Sequence, residues 1–115
     1  MGGAIGSVLR FLTGHYSTAI KLFSVPSGVL IVNLIGSFLI GLTFTVFNKN
    51  TSFESLRFLL MAGILGGFTT FSAFSFENMH LLKAGDYKNL LLNISIQTIG
   101  GLLLALLGYF TGNKL

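Results

Sequence analysis

Cysteine is absent from this chain of 115 residues, proline occurs once, and aspartate and glutamate together number three. Without cysteine, neither a disulfide framework nor a thiolate site is available. Charged residues make up 9% of the chain, against roughly 25% in soluble domains, so it lacks the charge to coat a water-facing surface. A metal-ligand cluster, a nucleophile elbow, paired carboxylates and a phosphate-binding loop are also missing. No enzyme is expected. The net charge of +4 comes from seven scattered basic residues rather than a cluster, which gives no footprint for nucleic acid. A basic leader with a cleavage motif is lacking, so no removed signal peptide is expected. The myristoylation pattern fails because Gly6 stands where Ser or Thr is required.

What remains is apolar: hydrophobic residues are 52% and the mean hydropathy is +0.83. An integral membrane protein of one domain, residues 1–115, is the reading. A helix crossing the hydrocarbon core needs about 20 mostly apolar residues. Between Lys21 and Lys49 lie 27 uncharged residues, between Arg57 and Glu77 lie 19, and between Lys88 and Lys114 lie 25. A further stretch, from Gly3 to about Ala19, is similarly apolar with Arg10 at its middle. The expectation is an all-α membrane protein of four transmembrane helices, near 3–19, 27–47, 57–82 and 88–112, lying multi-pass in the cell membrane. Val25-Pro26 reads as a helix stop and restart. Thr51 or Ser52 is a candidate cap for the third helix, and Gly85 and Asp86 suit the end of that helix and the start of the next.

Orientation follows the side richer in Lys and Arg. With four spans, Lys49, Arg57 and Lys114 lie on one side and Lys21, Lys83 and Lys88 on the other, three against three. Small residues four apart recur as Gly2/Gly6, Ser37/Gly41, Gly101/Ala105 and Gly108/Gly112, a spacing that lets helices approach closely in lipid. Four short helices enclose little space, so a homo-oligomer is expected.

The stretch "GGFTTFSAF", residues 66–74, interrupts the third span. Gly66-Gly67 is weakly helical, and the adjacent threonines compete for backbone groups. A break there frees carbonyls, which survive in a membrane only where protein, water or an ion satisfies them. Such oxygens suit a desolvated alkali cation; the alternative is a glycine crossing with the threonines bonded to their own backbone. Phe68, Phe71 and Phe74 stand three apart on one helix face, either as packing or as rings whose positive edges line an anion path. Asn33 and Ser37, one turn apart, and the cluster of Ser95, Gln97 and Thr98 are polar residues in apolar runs, serving as interhelical glue or as pathway. Arg10 and Glu77 are the charges nearest the membrane interior, with snorkelling to an interface as the alternative. His15 and His80 fall near span ends.

Taken in order, "GGAIGSVLRF" at 2–11, "PSGVLIVNLIGSFLIG" at 26–41 and "GILGGFTTFSAFSFE" at 63–77 resemble the CrcB/Fluc fluoride channels. The resemblance implies a passive fluoride channel that lowers cytoplasmic fluoride. It also implies an antiparallel, dual-topology homodimer with two pores and one structural sodium ion, which is not transported. By position, Gly66 and Thr69 would give backbone carbonyls to sodium, Phe71 and Phe74 would be the aromatic pore residues, and Asn33 the polar pore donor. Arg10 and Glu77 match the family's first-helix arginine and its glutamate after the phenylalanines. Ser37, Thr70 and Ser72 are further pore or vestibule candidates, and the resemblance leaves open which of Ser95, Gln97 and Thr98 lines the path. Two other readings are a proton-coupled exporter of the small multidrug-resistance type, which wants an acid where Arg10 stands, and a non-conducting assembly subunit.

Overall fold

Long uncharged runs fold as helices in lipid because a helix satisfies each backbone N–H and C=O within its own segment. The computed structural model describes residues 1–17, 21–22, 25–49, 52 and 54–115. Helix α1 spans Gly2–Ser17 and α2 spans Ser27–Asn48. A third rod is assembled from α3 (Glu54–Phe58), a π-helical stretch (Leu59–Leu65), α4 (Gly66–Phe68) and α5 (Phe71–Lys83). A fourth consists of α6 (Tyr87–Ser95), a second π-helical stretch (Ile96–Gly100) and α7 (Gly101–Asn113).

Three of the four rods are long and apolar enough to cross a membrane: Gly28–Asn48, Glu54–Lys83 and Tyr87–Asn113. Helix α1, with 16 residues, is shorter than that, and residues 18–20, assigned to the same span from sequence, lie outside the described residues. The third rod starts at Glu54, ahead of the expected residue 57, since a carboxylate in a first helical turn complements the helix dipole. Thr51, a candidate cap for it, lies outside the described residues.

The connections follow local chemistry. A two-residue antiparallel ladder pairs β1 (Lys21–Leu22) with β2 (Val25–Pro26), and α2 begins directly after Pro26. At the end of α5, Gly85 takes φ 72°, the left-handed conformation that closes a helix. The Asp86 amide donates to the Leu81 carbonyl at 2.9 Å and the Gly85 amide to Leu82 at 3.1 Å. Asp86 then caps α6 by accepting from the Asn89 amide at 3.3 Å.

Small residues set the packing. A Cβ on Gly41 would run into the Ala105 carbonyl oxygen, and one on Gly108 into that of Phe38, so α2 and α7 meet backbone to backbone. Gly6 lies equally close to the Ile64 carbonyl, and Gly67 to Gly3. Pairing Gly2 with Gly63 and Gly6 with Ile64 makes α1 run in the direction of the third rod. Contacts of Gly101 with Ser37, Gly41 with Ala105 and Gly112 with Thr45 make α2 and α7 run in the same direction. The Lys49 ammonium donates to the Gly112 and Asn113 carbonyls, both at 3.0 Å, and brings the 48–57 connection to the C-terminus. Both termini therefore share one end of an up-down-up-down arrangement.

Burial is more mixed than in a water-soluble protein. Among the described residues the buried side chains include Thr45, Asn93 and Gln97 beside Leu30, Val32, Leu65 and Phe68. Phe11, Phe58, Leu102 and Phe110 are exposed on the outside. Lipid tails are as apolar as leucine, so in a membrane apolar side chains gain little by turning inward and polar ones gain partners.

Candidate functional site: a broken helix between two grooves

The third rod breaks at Thr69 and Thr70, whose backbones are extended (φ −83°, ψ 156° and φ −152°, ψ 123°). Within the stretch expected to break, the glycine pair stays helical and the threonines carry the break; Gly66 has φ −63° and ψ −37°. The reason is that Gly67 is used for close approach to α1, whereas the threonines supply hydroxyls that replace helical bonds. Thr69 ends α4 by donating both its amide and its Oγ1 hydrogen to the Leu65 carbonyl, each at 3.0 Å. Thr70 starts α5 as its N-cap, its Oγ1 accepting from the Ala73 amide at 3.4 Å and lying 3.0 Å from Ser72 Oγ.

Asn33, from α2, clasps the break. Its Oδ1 accepts from the Thr70 amide at 3.0 Å, and its Nδ2 donates to the Thr70 carbonyl at 3.2 Å and to Gln97 Oε1 at 2.7 Å. The Thr70 amide is thereby directed to Asn33 instead of to the Gly66 carbonyl four residues back, and that carbonyl loses its intrahelical donor. Ser37, one turn along α2, donates to the Asn33 carbonyl at 2.8 Å.

A groove of about 380 Å³ opens against this clasp. It is lined by Asn33, Ser37, Gln97 and Thr98 on one wall and by Gly66, Thr69, Thr70, Phe71 and Phe74 on the other. The Phe71 and Phe74 rings lie 5.6 Å apart with an interplanar angle of 40°, and Phe71 is 77% exposed. Phe68 leaves the expected row of three: it precedes the break and is buried. A second groove, of about 800 Å³, holds Arg10, Ser72 and Glu77. Thr70 lines both grooves, so the break stands between them. Glu77 is half-buried, and its Oε2 has no hydrogen-bond partner. His15, lining the same groove, stacks on Phe11 with ring centroids 6.1 Å apart, and His80 meets Phe76 edge-on at 4.5 Å.

Of the fourth-rod candidates, Gln97 is buried and bonded to Asn33, Thr98 lines the first groove, and Ser95 is exposed and lines neither groove. The residues that sequence reasoning missed are Asn93 and Asn78. Asn93 is fully buried; it accepts from Gln97 Nε2 at 2.9 Å and donates from Nδ2 to Asn78 Oδ1 at 2.8 Å. The available signal was the spacing of Asn93 and Gln97, one helical turn apart in an apolar run. Among the described residues no group of three or more His, Asp or Glu is placed to hold a metal, so any cation here would be held by carbonyl and hydroxyl oxygens.

Comparison with known proteins places this arrangement. The family model described as "CrcB-like protein, Camphor Resistance (CrcB)" matches residues 1–109. A protein of Parabacteroides distasonis named "Fluoride-specific ion channel FluC" is 42% identical over 115 residues, covering 100% of this chain and 90% of that one. One of the same name from Leptospira interrogans is 42% identical over 93% of this chain and 85% of its own length. Another, from Thermus thermophilus, is 42% identical over 100% of this chain and 91% of its own. With matches of this extent, the chain belongs to the CrcB family.

Proposed function

We infer that this protein is a fluoride-specific ion channel of the membrane, through which fluoride leaves the cell passively and cytoplasmic fluoride falls. The observation that carries the reading is the Thr69–Thr70 break with the Phe71–Phe74 pair beside an open groove, in a chain of the CrcB family. Fluoride is small and strongly hydrated, so its path must replace water with donors at close range. Asn33 presents an amide to the groove, and the phenylalanines offer ring edges, positive without a full charge that would trap the ion. Arg10, in the second groove, draws anions toward the entrance.

The working unit in this reading is an antiparallel, dual-topology homodimer with α1 as its fourth span. Its support is the three-to-three distribution of Lys and Arg, and the exposure of Gly66 and Phe71 on the single chain, where a second copy would close the groove. Gly66 and Thr69 are the residues that would hold a structural sodium ion. They fit it: the Gly66 carbonyl has lost its helical donor at an exposed position, and carbonyl oxygens are hard ligands. Bound there, sodium supplies a fixed positive charge that satisfies carbonyls of two chains. The test is ion efflux from liposomes containing the purified protein. Fluoride should leave and chloride should not. Chloride efflux at a comparable rate, or no anion efflux from folded protein, would remove the proposal.

A further inference from the structure

Thr70, Asn33, Gln97, Asn93 and Asn78 form one continuous run of hydrogen bonds, and its polarity is set by the single member that cannot turn round. A backbone N–H only donates, so the Thr70 amide compels Asn33 to present Oδ1 to it, at 3.0 Å. Asn33 then directs Nδ2 toward Gln97, which must present Oε1, at 2.7 Å. Gln97 is left with Nε2 for Asn93 Oδ1 at 2.9 Å, and Asn93 with Nδ2 for Asn78 Oδ1 at 2.8 Å. Each amide fixes the orientation of the next. The run also closes on itself: it leaves the third rod at Thr70, crosses α2 and the fourth rod, and returns to the third rod at Asn78. Phe71 and Phe74 lie on α5 between those two points.

We infer that Asn93, through Gln97 and Asn33, is a positioning residue that holds the Thr69–Thr70 break and the Phe71–Phe74 turn in the geometry fluoride conduction requires. This rests on the channel reading above. Asn93 is fully buried and does not line the groove, which it reaches only through Gln97. Its action is orientational. Losing the Oδ1 acceptor frees the Gln97 amide to rotate, after which Asn33 can meet Gln97 with either end. In a low-dielectric interior the members of such a run polarise one another, so a loss at one point weakens the others. Interhelical glue alone predicts a loss of assembly, with no particular effect on Thr70.

The experiment uses the full chain in liposomes and reads fluoride efflux, with dimer elution as the check on folding. Asn93→Leu, similar in volume but without polar atoms, should slow efflux about threefold or more. Asn93→Asp, assayed where the introduced carboxyl is protonated, should slow it less, because that form accepts from Gln97 and donates to Asn78. Asn78→Leu should slow efflux and accelerate hydrogen exchange of the Thr70 amide, some distance from the substitution. Folded Asn93→Leu or Asn78→Leu protein with unchanged efflux and unchanged Thr70 exchange would overturn the inference, as would Asn93→Asp being no better than Asn93→Leu. A readout free of substitution is the exchange of the Asn93 and Gln97 side-chain amides in the unmodified protein. Slow exchange is expected, and exchange at the rate of exposed amides sinks the idea even if no leucine variant folds. If the unmodified protein fails to conduct fluoride, the channel reading falls, while the Thr70 exchange still tests the run.

Discussion

Asn33 gives both amide hydrogens to protein partners in the single chain while still lining the groove. To serve an anion as a donor it must release one of them, and the bond to the Thr70 carbonyl, at 3.2 Å, is the longer of the two. Phe71 and Phe74 stand on the facing wall, where the channel reading has their ring edges meet the ion. Phe71→Ile and Phe74→Ile keep apolar bulk but remove the ring quadrupole. If ring electrostatics act on the ion, each should slow fluoride efflux by about fivefold, corresponding to roughly 1 kcal/mol for an aromatic contact; unchanged rates in both would make the rings mere packing. At this scale the sequence was informative wherever a polar residue interrupted an apolar run, as at Asn33. It was silent on which hydrogen bonds such a residue makes: Asn93 looked like any asparagine between Leu92 and Ile94. Its partner Asn78 lies 15 positions away in the chain, and no local pattern encodes that distance.

The break in the third rod shows how far an element can be read before its neighbours are known. Two glycines and two threonines marked a weak place, because both residue types disfavour helix interiors. Propensity did not choose between them. Packing did, since Gly67 is committed to helical contact with α1 and Asn33 satisfies Thr70. The π-helical stretches, Leu59–Leu65 and Ile96–Gly100, left no trace in the sequence, and both adjoin groove-lining residues. Thr70 is the joint of the element. Thr70→Val removes the hydroxyl that caps α5 while keeping the side-chain shape, and loss of an N-cap costs about 1 kcal/mol. The melting temperature in detergent should fall and fluoride efflux with it; Thr70→Ser should recover both. A Thr70→Val protein melting and conducting as the unmodified one would remove the cap from the account.

For the whole molecule the sequence disclosed the number of helical rods and their order, because uncharged length is the dominant constraint in lipid. The short ladder at Lys21–Leu22 and Val25–Pro26 was not foreseen, as four residues carry too little pattern. Association is likewise a property of the whole chain. With Lys and Arg balanced across the two ends, a tag on the C-terminus should be found on both sides of the membrane, and an added Lys pair in the 48–54 connection should bias the population. A single orientation in the unmodified protein would contradict dual topology. Replacing sodium with a bulky organic cation should lower fluoride efflux and loosen the dimer, with no sodium carried across. Full conduction by an intact dimer after rigorous sodium removal would exclude the role given to Gly66 and Thr69.

Backbone contact between α2 and α7 has a mechanical consequence. With Gly41 against Ala105 and Gly108 against Phe38, no side chain separates the two backbones at those points. A pair joined this way behaves as one beam, and tilting either helix carries the other. Asn33 and Thr98 project from that beam and its immediate extension, so the spacing of their wall is stiff. The phenylalanine wall belongs to α5, on the far side of the extended joint at Thr69 and Thr70. The groove thus has one wall on a beam of two helices and the other beyond an extended joint, which Asn33 ties back to the beam at Thr70.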